Sequence, residues 1–299
     1  MLFKNEVTYL TDAAPNAAEG LVLSNVSFTP IEGEEVKRDL LLPYLGNQGS
    51  VLTAMYGKIE FDLEITGSGA AGSVPKYSSV LRAAGLAATI TAGVSVDYTI
   101  IEDAVESATM HFVSDGVRHI FLGGQANIAM SFVPKQIPKF RVTFLGMLGT
   151  ITDVVSMPAV TMAGWTDPQP VSKANTTMTL HGWASTAESL SVDLGNTLSP
   201  RFLIGDEAIR ISDRQSSGSA VVEARSLAVV DWFERAKTGN RDALLLTHGV
   251  GAGRIIEISA PAVQIGKPTQ GQTDNIINYT LPLSVCPVSG LDELKITFR

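Results

Sequence analysis

Residues 67–72 read G-S-G-A-A-G, the G-x-G-x-x-G spacing with which a backbone turn can cradle a pyrophosphate at a helix N-terminus. The strand pattern before it argues against that chemistry. In KIEFDLEI (58–65), Ile59, Phe61, Leu63 and Ile65 alternate with Lys58, Glu60, Asp62 and Glu64. Strands of a doubly wound parallel sheet are buried on both faces and read as unbroken apolar runs, whereas this one needs a wet side. Ser73, Val74 and Pro75 also separate the glycines from the next helical pattern, so the loop does not open onto a helix N-terminus. No cofactor is expected, and Gly67, Ser68, Gly69 and Gly72 read as a mobile connector or contact segment.

The other residues capable of chemistry fare no better. Glu60, Asp62 and Glu64 recur about 7 Å apart along one face of one strand. A catalytic carboxylate pair sits across a cleft in two different environments, so this stripe reads as a wet acidic sheet face. His111 and His119 flank Ser114-Asp115-Gly116; a three-residue loop would put them opposite one another, a two-residue Asp-Gly loop on opposite faces. Neither choice supplies a third ligand at a recognised metal spacing, and no metal is expected. No G-x-S-x-G elbow occurs, and the single cysteine, Cys286, ends an apolar run where a buried structural thiol is the default. The chain does not read as an enzyme.

A net charge of −8, from 30 acidic and 22 basic residues, leaves no basic surplus for tight binding to a phosphate backbone. The opening MLFKNEVTYLTDAAP lacks the continuous apolar core of a secretory signal. The longest weakly polar run, 83–96, is broken by Gly85 and Gly93 and is too short to span a membrane, so no membrane partner is expected.

Period-two alternation dominates the remaining sequence, at 109–113, 117–122, 140–145, 207–212, 219–226, 254–259, 278–285 and 294–299. Two short stretches instead have helical spacing. Tyr77, Val80, Leu81 and Ala84 lie between Pro75 and Gly85; Val229, Trp232, Phe233 and Ala236 stop at Gly239. The two lie about half the chain apart, and each follows a strand and precedes several more. This repeated layout predicts two tandem mainly β (α+β) domains, 1–156 and 157–299, joined through a proline-bearing linker at about 153–175. Each is expected to be an antiparallel β-sandwich or half-barrel carrying one short α-helix.

The final 49 residues carry an alternating strand, APAVQIGKP, a polar turn, Y-T-L-P-L and the finish D-E-L-K-I-T-F. Together with KIEFDLEI, KYSSVLRAAGL and SFVPKQIPKFRVTFLGM, they resemble the major tail (tail-tube) proteins of long-tailed, siphovirus-type bacteriophages. The resemblance implies a structural virion protein of the phage tail, made in the bacterial host cytoplasm. Its rings would stack into a hollow conduit for DNA. Implied partners are further copies of itself, tail terminator and tail-tip proteins, a tape measure protein in the lumen, and DNA in transit without specific binding.

Two domains per chain make a quasi-sixfold ring from three chains, and the acidic stripe of Glu60, Asp62 and Glu64 is expected to face the bore. The polar loops 66–75 and 266–275, with Gly67, Ser68, Gly69, Gly72, Gly266, Lys267, Gln270 and Gln272, are expected to contact neighbouring subunits or rings. The competing reading is a virion decoration or receptor- or carbohydrate-binding β-sandwich. It requires Trp165, Trp183 and Trp232 to converge on an exposed patch.

Overall fold

A computed structural model describes residues 1–299. Its first part runs β1 (Leu2–Asn5), β2 (Ser24–Lys37), β3 (Ser50–Glu64), α1 (Ser78–Ala83), β4 (Leu86–Thr91), β5 (Ser95–Ile100), β6 (Ala108–Ser114), β7 (Val117–Phe132) and β8 (Lys139–Asp153). Residues 154–175 form no strand or helix. Then follow β9 (Thr176–Leu180), β10 (Trp183–Ala184), β11 (Ala187–Asp193), β12 (Asn196–Leu203), β13 (Asp206–Arg214), β14 (Ser217–Glu223), α2 (Trp232–Thr238), β15 (Arg241–His248), β16 (Ile256–Ile265), β17 (Thr269–Thr273), β18 (Ile276–Cys286) and β19 (Lys295–Phe298). Every strand pairing is antiparallel, giving a β-sandwich.

Eight strands form one continuous layer in the order β2–β3–β8–β7–β11–β14–β18–β17. Alternation along them puts the main-core side chains on one side, while Leu145 and Met147 of β8 face the other. Ile59, Phe61 and Leu63 of β3 and Phe140, Val142 and Phe144 of β8 are buried, as are Leu190 and Val192 of β11 and Leu281 and Leu283 of β18. They share a core of 48 residues with Val96 and Tyr98 of β5, Leu244 and Leu246 of β15, Ile258 of β16 and Ile296 and Phe298 of β19. Each such side chain contributes roughly 1.5–3 kcal/mol on leaving water.

The two parts of the chain are stitched together twice. In the eight-stranded layer β7 pairs with β11, Leu190 opposite Phe132 and Val192 opposite Met130. In the second layer the C-terminal β19 lies between β5 and β16. Close backbone approach in the first part depends on glycine: a Cβ on Gly57 or Gly124 would occupy the ring of Phe121 or Phe144.

Both helices form where the spacing places them, with one shift. The Asp231 side chain accepts from the Glu234 N–H at 2.9 Å, so α2 begins at Trp232, and Gly239 ends it in the left-handed region at φ 65°. Val229 therefore stays outside the helix and exposed, while Val230 and Trp232 are buried. The turn between β6 and β7 contains only Asp115 and Gly116, both at positive φ, so His111 and His119 point to opposite faces. His111 Nε2 hydrogen-bonds Asp12 at 3.0 Å, and the His119 ring packs edge-on to Phe28.

Candidate functional site: a polar sheet face with two open edges

The side of the eight-stranded layer away from the core carries mostly short or charged side chains, the larger apolar ones being Tyr56, Leu145 and Met147 toward the arms and Val221 and Pro282 in the second part. Its first part presents Ser27 and Thr29 of β2, Lys58, Glu60, Asp62 and Glu64 of β3, and Lys139, Arg141 and Thr143 of β8. Its second part is mostly hydroxyl: Ser191 of β11, Ser217 and Ser219 of β14, Thr280 and Ser284 of β18. Asp193 and Glu223 are its carboxylates there, and Asp193 accepts from Asn127 of β7 across the β7–β11 joint at 2.9 Å.

The acidic stripe does lie on this face, but it is not a bare run of negative charge. Lys58 Nζ meets Glu60 at 2.8 Å, and the Arg141 fork reaches Glu60 at 2.8 Å and Asp62 at 3.0 Å. Lys139 stands opposite Glu64 and lies 3.8 Å from Asp62. Hydrogen bonds from Lys58 and then Arg141 hold the Glu60 carboxyl below the usual carboxylate range, and the same bond raises the Lys58 ammonium. Lys139 and Arg141 come from β8, nearly 80 residues further along the chain, so the alternation of β3 alone could not reveal them.

The two ends of the layer are open. β2 pairs only with β3, and β17 only with β18. Residues 269–273, expected to be loop, form a strand because Asp274 and Asn275 adopt the paired positive φ values (52° and 63°) of a tight hairpin turn. All five residues of β17 are exposed. Gly266 packs against Pro282, and Lys267 is exposed just before this edge. In a two-residue hairpin the residues flanking the turn share the hydrogen-bonded rung, here Thr273 and Ile276. Alternation then turns the backbone N–H groups of Gln270 and Gln272 outward, unpaired.

The glycine loop is held within the chain, correcting the expectation of a mobile connector. Gly69 N–H donates to the Gly253 carbonyl at 2.9 Å, and Thr166 donates to the Gly67 carbonyl at 2.7 Å. Gly67 and Gly72 touch backbone at 253–254 and 91–93 with no room for a Cβ, while Ser68 donates to the Ala70 carbonyl. The exposed tryptophan patch that the competing binding-module reading requires does not form. Trp183 and Trp232 stack edge-to-face at 5.5 Å, with Trp232 fully buried, and Trp165 packs against Tyr77 instead.

Each part of the layer also extends into a hairpin arm, a feature that alternation did not disclose. The first arm is the outer length of β2 and β3 with its tip at 38–49; the second is β12–β13, a two-stranded continuation of β11 and β14 bent at Gly195 (φ 72°). The second arm folds back on the first part, burying Ile209 with Leu145 and Met147. Ile209 N–H donates to the Tyr9 hydroxyl at 2.9 Å and Ile211 N–H to Gln125 at 2.6 Å.

A layer with a wet small-residue face, unpaired edges and protruding arms is built for contact with other chains. A model of the phage tail tube protein family matches residues 1–285. The chain belongs to that family. It is accordingly a structural protein of the phage tail, from a family that is not enzymatic, and the family implies assembly with itself into a tube. No curated protein matches the chain. The tail tube family thus accounts for the mainly β sandwich.

Proposed function

We propose that three copies of this chain close into a ring and that the rings stack head to tail into the tail tube, with the polar face of the eight-stranded layer lining the bore. The observation that carries this reading is that layer: apolar and buried on one side, small and polar on the other, with unpaired edges at both ends. The two parts have the same arrangement. β2, β3, β8 and β7 repeat as β11, β14, β18 and β17, and a helix follows β3 and β14 alike. This supports two tandem tube domains, 1–156 and 157–299, so that three chains give a ring of six units.

Such a bore suits passage of DNA. Lys58, Lys139 and Arg141 are already engaged by carboxylates, and Ser and Thr hydroxyls offer no net charge to hold a phosphate. The arms leave one rim of the layer. Loop 66–75, with Ser68 and Gly72, lies at the opposite end of β3, where stacked rings would meet it. Terminator, tip and tape measure proteins would bind the finished or growing tube, and assembly would take place in the host cytoplasm. Electron microscopy and mass measurement of purified protein test this reading. Hollow tubes or discs whose rings contain three chains are expected; rings of six full chains, or monomers persisting at high concentration, would reject it.

A further inference from the structure

The β7–β11 joint within the chain supplies a template for the contact between chains. Resting on the ring reading above, we infer that β17 of one copy pairs antiparallel with β2 of the next, with Thr269 opposite Thr29 and Gly271 opposite Ser27.

The register follows from matching the strand pairings of the two repeats, starting from the last residues of β3 (Glu64) and β14 (Glu223), each of which precedes a helix. Leu63–Phe140 and Phe61–Val142 on β3 and β8 correspond to Val222–Tyr279 and Ala220–Leu281 on β14 and β18. From β18, Gln270 corresponds to Met130 on β7; from β14, Ser191 on β11 corresponds to Ser27 on β2. The observed pairs Asp193–Ala129 and Ser191–Ser131 then become Thr29–Thr269 and Ser27–Gly271. Two independent features agree with this. The β17 edge has its Gln270 and Gln272 N–H groups turned outward, which places Thr269 and Gly271 on the closer, non-hydrogen-bonded rungs of the new pair. Ser27, Thr29, Thr269 and Gly271 also all lie on the polar face, so the joint would continue that face unbroken.

The same template gives the first arm its partner. The second arm covers the first part of its own chain, whereas the first arm carries Ile31, Val36, Leu41, Leu45, Val51 and Leu52 exposed, Leu41 and Leu45 completely. Apolar side chains exposed in this number along a projecting hairpin and its tip mark an interface. In the equivalent position the arm lies over the second part of the neighbouring copy at Ser284 and Cys286, which correspond to Leu145 and Met147, with Val288 exposed just beyond them.

A disulfide scan of the full chain tests the register. In a Cys286→Ser background, Thr29→Cys with Thr269→Cys should give, on oxidation of assembled tubes, covalent species ending at three chains and sensitive to reductant. Rings seen by microscopy with no cross-link at this pair, or with cross-links only to shifted partners of Thr29, would overturn the joint while leaving the ring reading intact. Absence of rings in the unmodified protein would overturn both. As a second variant, Gln272→Pro removes an outward N–H and breaks no bond to β18. It should leave a folded chain with an unchanged melting temperature and at least tenfold less ring formation. Assembly at the level of the unmodified chain would count against the proposed edge.

Discussion

The two arms of this chain begin from the same place in two repeated layouts and meet different fates. The second folds onto β7 and β8, satisfies its edge with Tyr9 and Gln125, and buries Ile209 completely. The first projects with most of its apolar side chains in water. The joints differ in the same way: β7 and β11 are paired and buried, whereas β2 and β17 present open edges. One copy of each contact is therefore made within the chain, and its counterpart is left for another molecule. Substitutions in the second arm should accordingly act on folding, and those in the first arm on assembly.

The largest effect on folding is expected at the internal joint. Phe132 is buried against Leu190 and stacks edge-on to His248 at 5.8 Å. Phe132→Ala should cost about 3–5 kcal/mol in denaturant unfolding of the monomer. Gln272→Ala, on the corresponding open edge, should stay within about 0.5 kcal/mol. Equal costs would remove the distinction between a filled and an unfilled joint. In the arms, Ile209→Ala should cost about 2–4 kcal/mol, while Leu41→Ser should leave unfolding unchanged and slow tube formation followed by light scattering.

A pH titration reads the buried imidazoles, His181 and His248 in the second part, and the half-buried His119 in the first. Burial lowers the His181 and His248 pKa values, and both rings are placed to be neutral. Thr176 donates to His248 Nδ1 at 2.8 Å and His248 Nε2–H donates to the Gln169 carbonyl, while His181 Nε2–H donates to the Val263 carbonyl at 2.7 Å. With folded values below the ordinary 6.5, the unfolded chain binds more protons. Stability is then complete above about pH 6.5 and falls as the pH drops toward the folded values. His248→Gln should flatten that loss, measured as unfolding midpoints at pH 7.5 and 5.5. An unchanged slope would assign the acid sensitivity elsewhere.

Alternation revealed strands with one dry face from KIEFDLEI to the C-terminal KITF, and both helices between their Pro and Gly boundaries, but it left β5 unassigned although Val96, Tyr98 and Ile100 alternate there just as regularly. β17 escaped because Thr-Gln-Gly-Gln-Thr has no apolar side to repeat, its strand state depending on the Asp274-Asn275 turn and on β18 beside it. The first arm escaped for a related reason, since its apolar residues follow no dry face within one chain; of the second, alternation showed only β13, at 207–212. The G-S-G-A-A-G loop misled in the opposite sense, since its glycines serve close backbone packing against Gly253 and Gly93, a contact fixed by residues remote in sequence.

The smallest expected effect concerns the charged half of the polar face, where sequence showed the carboxylates and Lys58 but not Lys139 and Arg141 across from them. Arg141 reaches Glu60, Asp62 and the Asn25 carbonyl from a half-exposed position, so salt and water weaken each bond. Arg141→Met should cost only about 1 kcal/mol, and the difference should shrink in high salt. Its pH signature has the same sign as that of the histidines, although here the folded state favours the charged rather than the neutral form. Glu60 titrates below its ordinary value when folded, so its share of stability is present above the unfolded carboxylate pKa and disappears as pH falls through the folded one. Arg141→Met should reduce that acid-side loss near pH 4 while leaving the loss near pH 6 in place. A variant that alters both regions equally would show that the charged and hydroxyl halves of the face are energetically one unit.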